Sequence, residues 1–290
     1  MLPAKLAANY GAHAYRALGP AGYARYLAHS LRALPAVLVE RNLRPVDRAM
    51  HGRVTLRHPV NHRQVSIDLD AYRAGDDAEG SYAFGLIREI WLRDVYLRPF
   101  RWPAQVDCIV DLGANRGIFA LQACAFAQRV VAVETLAPYA APLRTNLDAN
   151  AFDNLVLVHA YVGGPGFMAP GDAPKIDLAG VLALAEGRRV DLLKVDIEGS
   201  EFGLDLSPLA QVARLAMELH PGYGDGEALL RAVRALGFDC RLFDERLHPA
   251  SLPQASFVYA VNTRLAGGAT WADAPARTAD PLPLAAMDPA

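Results

Sequence analysis

Five ionisable side chains with chemistry to offer fall in two short stretches. LLKVDIEGSE, residues 192–201, runs from an apolar strand into Asp196, Glu198 and Glu201, and AMELHP, residues 216–221, carries Glu218 and His220. Two carboxylates held close repel, which raises the proton affinity of one and makes it a better base. His220 titrates near neutral pH and is the other base candidate. Helix capping is the alternative for Glu198-Gly199-Ser200-Glu201, with Glu201 favoured in the first turn. For His220 the alternative is a structural hydrogen bond to a neighbouring carboxylate. Asp196, Glu198, Glu218 and His220 could instead gather a divalent metal that orients a diol, since oxygen-rich sets with one imidazole suit Mg or Mn. The preferred reading has no metal. Lys194 is expected to point elsewhere, because it shares a face with Asp196 and Glu198 only while the strand persists.

A second stretch, VDLGANRGIFAL (110–121), has the form of a strand, a tight turn and the start of a helix. Gly113 and Gly117 let the backbone turn and approach a ligand closely, and Asp111 closes the strand. The spacing D-L-G-A-N-R-G does not match the G-x-G-x-x-G of dinucleotide sites, which disfavours a nicotinamide-dependent oxidoreductase. Asn115 in place of the second glycine leaves less room for a diphosphate. The next apolar run, VVAVE, ends on Glu134, 21 residues after Gly113. That is about where an acid receives the ribose hydroxyls of an adenosine. A glycine turn and a ribose acid without a pyrophosphate clamp point to S-adenosyl-L-methionine.

Alternating strands and helices must position these groups. From Val106 onward, CIVDLG, VVAVE, LVLVHAYVG, VDLLKVD, VARLAMEL, FDCRLFDE and ASFVYAVN are separated by helical patterns, except that the last two are adjacent. This predicts an α/β fold, a mostly parallel sheet with crossover helices on both faces and one antiparallel edge. Upstream, residues 4–43 predict two or three short helices broken at Gly19-Pro20 and Pro35. Residues 53–70 predict a β-hairpin turning at Pro59 to His62, and residues 81–100 an amphipathic helix ended by Pro99. Tyr72, Tyr82 and Trp91 are candidates for a pocket or, more commonly, for the core. The expected division is an N-terminal region of helices, hairpin and helix over 1–102, serving as lid, substrate or interface region. A ligand-binding domain over 103–265 and an Ala/Pro/Gly-rich flexible tail over 266–290 follow.

The totals set limits. The 290 residues are 52% hydrophobic, enough for a substantial core, and the net charge of −2 gives no global reason to expect nucleic acid. Charge is uneven: residues 1–60 carry nine Lys/Arg against Glu40 and Asp47, a net +7, leaving −9 for the remainder. That basic region suits an acidic carrier domain, an anionic lipid surface, a homo-oligomer contact or the acidic body of the same chain. Cys108, Cys124 and Cys240 are far apart with no CxxC pair, which argues against a disulfide framework or a zinc site and fits a cytoplasmic protein. No stretch approaches the roughly 20 apolar residues of a membrane span.

On VDLGANRGIFAL, VVAVE, TNLDANAFDNLVLVHAYVGG, VDLLKVDIEGSE and AMELHP, the sequence resembles the FkbM-type family of S-adenosylmethionine-dependent methyltransferases across roughly residues 106–262. The string K-V-D-I-E-G-S-E is the most specific part. The resemblance implies a class I methyltransferase (Rossmann-like), seven-stranded sheet with an N-terminal helical and hairpin extension. It also implies methyl transfer to a hydroxyl on a sugar, polyketide or other natural product. Asp111, Gly113, Asn115 and Gly117 would surround the methionine part of the cofactor, Glu134 the ribose, and Ala160 to Val162, with Tyr161 between them, the adenine. Asp196 would face the methyl-donor pocket, with Asp196, Glu198 and His220 as candidates for the base. The segment after the ribose acid departs from the family, reading E-T-L-A-P where proline commonly follows the acid. Methyl transfer to nitrogen, or a noncatalytic cofactor-binding scaffold docking a partner through its basic helices, are the alternatives.

Overall fold

The apolar runs after Val106 become strands because their Val, Ile and Leu side chains can be covered on both faces. The computed structural model describes residues 9–73, 82–166, 172–265 and 270–272. Strands β3 (Val106–Leu112), β4 (Ala127–Glu134), β5 (Leu155–His159), β6 (Val190–Val195), β7 (Arg214–Glu218), β8 (Phe238–Phe243) and β9 (Phe257–Asn262) form one seven-stranded sheet. Their order is β5-β4-β3-β6-β7-β9-β8. The first five are parallel, and β9 is antiparallel to both β7 and β8. The closing pair β8–β9 is thus the antiparallel edge that the adjacency of the last two runs implies, and β9 is the strand that runs against the rest. It lies inside, and β8 is outermost. The connection over residues 244–256, with a 3₁₀ turn at Leu252–Gln254, brings β9 back beside β8, while the open side of β7 accepts its other edge.

Two apolar layers cover the sheet. One holds Cys108, Val110, Val131, Val195, Leu215 and Val258 with α7 (Leu178–Ala183) and α8 (Gly226–Ala235). The other holds Ile109, Val130, Leu192 and Tyr259 with α5 (Ile118–Cys124) and described residues of the N-terminal region, among them Tyr26, Leu56, Ile67 and Trp91. Each such buried aliphatic side chain contributes about 1.5–3 kcal/mol. Residues upstream of 102 thus share a core with the sheet.

In that region α1 (Ala12–Glu40) spans 29 residues as two helices joined across Gly19, in keeping with the break read at Gly19-Pro20. Gly19, at φ 65° and ψ 174°, does kink it, but Pro35 does not end it. Pro35 is exposed, so the Leu31 carbonyl it leaves unbonded lies on the solvent side. After α2 (Arg44–Ala49), β1 (Arg53–Arg57) and β2 (Gln64–Asp68) form the expected antiparallel hairpin. Two amides dock it. Asn146 of α6 (Ala140–Ala149) and Asn150 at its C-cap, one turn apart, accept from Asp68 N at 2.6 Å and Ser66 N at 2.8 Å, and Asn150 donates back to the Ser66 carbonyl at 2.7 Å.

The expected helix over 81–100 is shorter. α4 (Tyr82–Ile87) runs into a π-helical turn, Arg88–Leu92, and irregular turns follow. The wider turn places Arg88 in a bidentate pair with buried Asp47 of α2, at 2.6 and 2.7 Å. Tyr72 and Trp91 are core residues, whereas the Tyr82 side chain and most of the expected flexible tail lie outside the described residues. The described part of that tail is packed: Trp271 stacks on Phe100 and donates to Asp239 at 2.7 Å, and Ala272 N bonds the Pro99 carbonyl at 3.0 Å.

Candidate active site

The glycine loop leaves the carboxyl end of β3, where the chain order reverses between β4 on one side and β6 on the other. Ligands of open α/β sheets bind at such a switch point. Gly113 has φ +76°, and a Cβ added there would fall 1.7 Å from the Asp196 carbonyl oxygen. Only glycine lets the loop press against the end of β6. Asn115 is also left-handed, at φ 50°, and Gly117, at φ +75°, abuts Leu143.

Glu134 is drawn to this loop. Its Oε2 accepts from Asn115 N at 2.6 Å and its Oε1 from Leu136 N at 2.7 Å. Burial raises its pKa, and those two backbone bonds oppose the rise. Each oxygen keeps a further lone pair for a hydroxyl donor. The loop after Glu134 uses Leu136 N in place of a prolyl ring, which answers the departure E-T-L-A-P: the segment closes on the acid through a hydrogen bond. Asn115, Glu134, Leu136, Tyr139, Leu157 and His159 line a narrow cleft here. Ala160 is buried beside it, its N–H bonded to the Glu134 carbonyl at 3.1 Å. Tyr161 sits half-buried, its hydroxyl 3.2 Å from Ser200 Oγ.

Asp111 is fully enclosed, with Lys194 Nζ 2.9 Å away neutralising it, although no hydrogen-bond donor meets it at good angle. Burial raises the Asp111 pKa, and Lys194 opposes this. Lys194 therefore does not point elsewhere. Parallel pairing sets it opposite Asp111, and its ammonium also donates to the Gly113 carbonyl at 2.7 Å and lies 3.6 Å from Asp196. Burial works against the charge on Lys194, but Asp111 and Asp196 more than offset it, and its pKa is raised. One buried cation thus ties the glycine loop to the acidic strand end.

Past Val195 the chain leaves the strand. Asp196 remains 27% exposed, accepting from the Tyr96 hydroxyl at 3.1 Å. Glu198 and Gly199 are both left-handed, at φ 53° and 96°, and swing the chain back toward β7. This brings His220 Nε2 to 3.5 Å from Glu198. Asp196, Glu198 and His220 each offer a donor atom, all within 4.8 Å of one another. Glu218, the fourth residue of the metal alternative, is not in that group.

Glu201 is only partly the capping residue it was expected to be. Its Oε2 does accept from Gly199 N at 2.8 Å, at the head of a 3₁₀ turn. Its Oε1 accepts from His220 N at 2.9 Å and lies 3.0 Å from His220 Nδ1, deep in the protein. Burial alone would lower the His220 pKa, but the Glu201 hydrogen bond and charge, followed by Glu218 and Asp196, raise it. Both ring nitrogens face carboxylates, Glu201 at Nδ1 and Glu198 at Nε2, which favours the charged form of the ring. Burial, reinforced by Asp196 and Glu89, raises the Glu218 pKa. The Glu198 pKa is raised by burial and then by Asp196, with His220 opposing. Tyr96, Glu201 as a partner of His220 and Lys194 as a neutraliser had not been read from the sequence. A signal existed only for Lys194, whose opposition to Asp111 follows once β3 and β6 are known neighbours.

No protein-family model matches the chain, and no curated protein matches it. Solved structures similar to it include methyltransferase FkbM from Methylobacillus flagellatus KT, 17% identical over 66% of this chain and 56% of that one, with a TM-score of 0.40. An rRNA methylase from Streptococcus thermophilus is 13% identical over 58% of this chain and 89% of its own, with a TM-score of 0.36. The N-terminal domain of EvdMO1, solved with SAH and D-fucose, is 14% identical over 54% of this chain and 76% of its own, with a TM-score of 0.34. At this distance the conclusion rests on the sheet itself. With five parallel strands, an antiparallel strand inserted before the last, and a glycine loop at the switch point, the chain has the class I methyltransferase, Rossmann-like fold.

Proposed function

We propose that this chain is an S-adenosylmethionine-dependent methyltransferase acting on a hydroxyl of a small-molecule acceptor of the sugar or polyketide kind. The observation that carries the reading is the closure of Glu134 onto the glycine loop, 2.6 Å from Asn115 N, which turns a sequence spacing into a single adenosine-shaped corner. The residues fit the cofactor: Gly113, Asn115 and Gly117, all at positive φ, turn the loop tightly at the end of β3, and Glu134 keeps acceptor capacity for two ribose hydroxyls. When bound, the cofactor supplies an electrophilic methyl on a sulfonium, whose positive charge is lost in the transfer.

The protein's own part is positioning and proton removal. Holding the reacting atoms in line contributes on the order of 7 kcal/mol or more. Asp196 takes the acceptor's hydroxyl proton as the oxygen–carbon bond forms, because it is the carboxylate that remains open between the glycine loop and Tyr96. His220, charged and held by Glu201, orients Glu198 beside it. Calorimetry with S-adenosylhomocysteine tests the reading: micromolar binding is expected, weakened by Glu134→Ala, and undetectable binding to the folded protein would overturn it.

A second reading is favoured by the convergence of Asp196, Glu198 and His220 within 4.8 Å, which would let a divalent cation orient a diol acceptor. Turnover that survives exhaustive chelation rejects it.

A further inference from the structure

The α1 helix has apolar residues on both sides, a pattern ordinarily seen in helices covered all round. One side, which carries Tyr26 and Val37, is buried. The other is not. Leu27, Leu31, Leu34 and Leu38 recur at helical spacing on the outer side, joined by Val39, with Leu31 71% exposed, Leu38 58% and Val39 82%. Ala24, Ala28 and Pro35 fill the same exposed face, so no polar side chain interrupts the strip between Leu27 and Leu38. It extends for roughly 18 Å along the helix.

The charges beside this strip have one sign. Arg25 and Arg32 flank it on one side by the 3.6-residue period, and Arg41 follows at the end of the helix. A groove next to the N-terminal half of α1 is lined by Arg25, Arg53 and Arg57. The two acids of residues 9–60 do not offset this, since Glu40 pairs with Arg48 and buried Asp47 with Arg88. A second copy of the chain is a poor occupant, because a twofold contact would set the arginine rows of both copies side by side. An anionic bilayer surface meets both features: the aliphatic strip enters the boundary between headgroups and acyl chains, and the arginines reach the phosphates.

We propose that α1 lies in the plane of an anionic membrane surface and carries the catalytic domain there. Among the described residues no helix is long and apolar enough to cross a membrane, so the contact is peripheral. This proposal does not rest on the methyltransferase reading, because the strip takes no part in the cleft between β3, β4 and β6.

Sedimentation of the full chain with phosphatidylglycerol vesicles, compared with phosphatidylcholine vesicles, tests it. Binding to the anionic vesicles is expected, with at least tenfold weaker binding to the neutral ones. The double variant Leu31→Glu, Leu38→Glu should abolish binding, and Arg32→Glu, Arg41→Glu should weaken it and reduce its dependence on salt. All these side chains are exposed, so circular dichroism and S-adenosylhomocysteine binding should match the parent protein. Absence of vesicle binding by the parent overturns the proposal. So does a dimer, detected by light scattering, that Leu31→Glu, Leu38→Glu dissociates while neither form binds vesicles. Variants that sediment as well as the parent also overturn it.

Discussion

The two halves of the cleft are built differently. On the donor side, Gly113 and Glu134 come from one strand-turn-helix-strand unit, and backbone N–H groups fix the acid. On the proposed acceptor side, Tyr96, Lys194, Asp196, Glu201 and His220 come from three separate stretches, and side chains hold one another. A local unit can be read from spacing. An assembled one depends on which strands are neighbours, and on a charge balance that no single segment contains.

The largest expected effect lies on the acceptor side. Asp196→Asn should lower the turnover number roughly a hundredfold to ten-thousandfold, with cofactor affinity changed less than by Glu134→Ala. Similar turnover in the variant would leave the acceptor side without its base. On the donor side, Gly113→Ala sets a methyl against the Asp196 carbonyl at positive φ and should cost about 3 kcal/mol or more by denaturant unfolding. A small effect there would mean that the two halves are not in hard contact.

Glu201→Gln sharpens the contrast by keeping the shape while removing the charge beside His220. A cost of about 1–3 kcal/mol is expected near pH 6. Because the folded His220 pKa lies above its ordinary 6.5, its contribution is complete below that value and fades as pH rises through the folded value. The stability gap between parent and variant should therefore narrow with rising pH. A gap that widens would mean that His220 is not the imidazolium. The smallest effect should come from Asn146→Ala, about 1 kcal/mol, with the cleft's pH behaviour unchanged.

Legibility followed the same division. The glycine turn, the acid that closes β4 and the alternation of strands were plain from residues that lie close in sequence. The Asp111–Lys194 pair was not, since 83 residues separate partners that parallel pairing sets side by side. Glu201 looked like a cap because its nearest partner, Gly199 N, is local, while His220 lies on another strand end. Pro35 was read as a break, yet a helix tolerates proline where water can reach the orphaned carbonyl. The inserted position of β9 was hidden because adjacency in sequence says that two strands pair and nothing of what else the second one pairs with.

The hairpin on the outside of the sheet carries one more consequence. A two-stranded ribbon has two bare edges, each a template onto which a foreign strand can add. Here Asn146 and Asn150 imitate a neighbouring strand along β2, and the Arg25 guanidinium bonds the carbonyls of Arg53 and His51 at the β1 side. Side chains belonging to the helices thus occupy part of each edge. The ribbon is thereby protected from strand addition between molecules, and loss of either set of contacts should show first as aggregation on storage, before any change in the cleft.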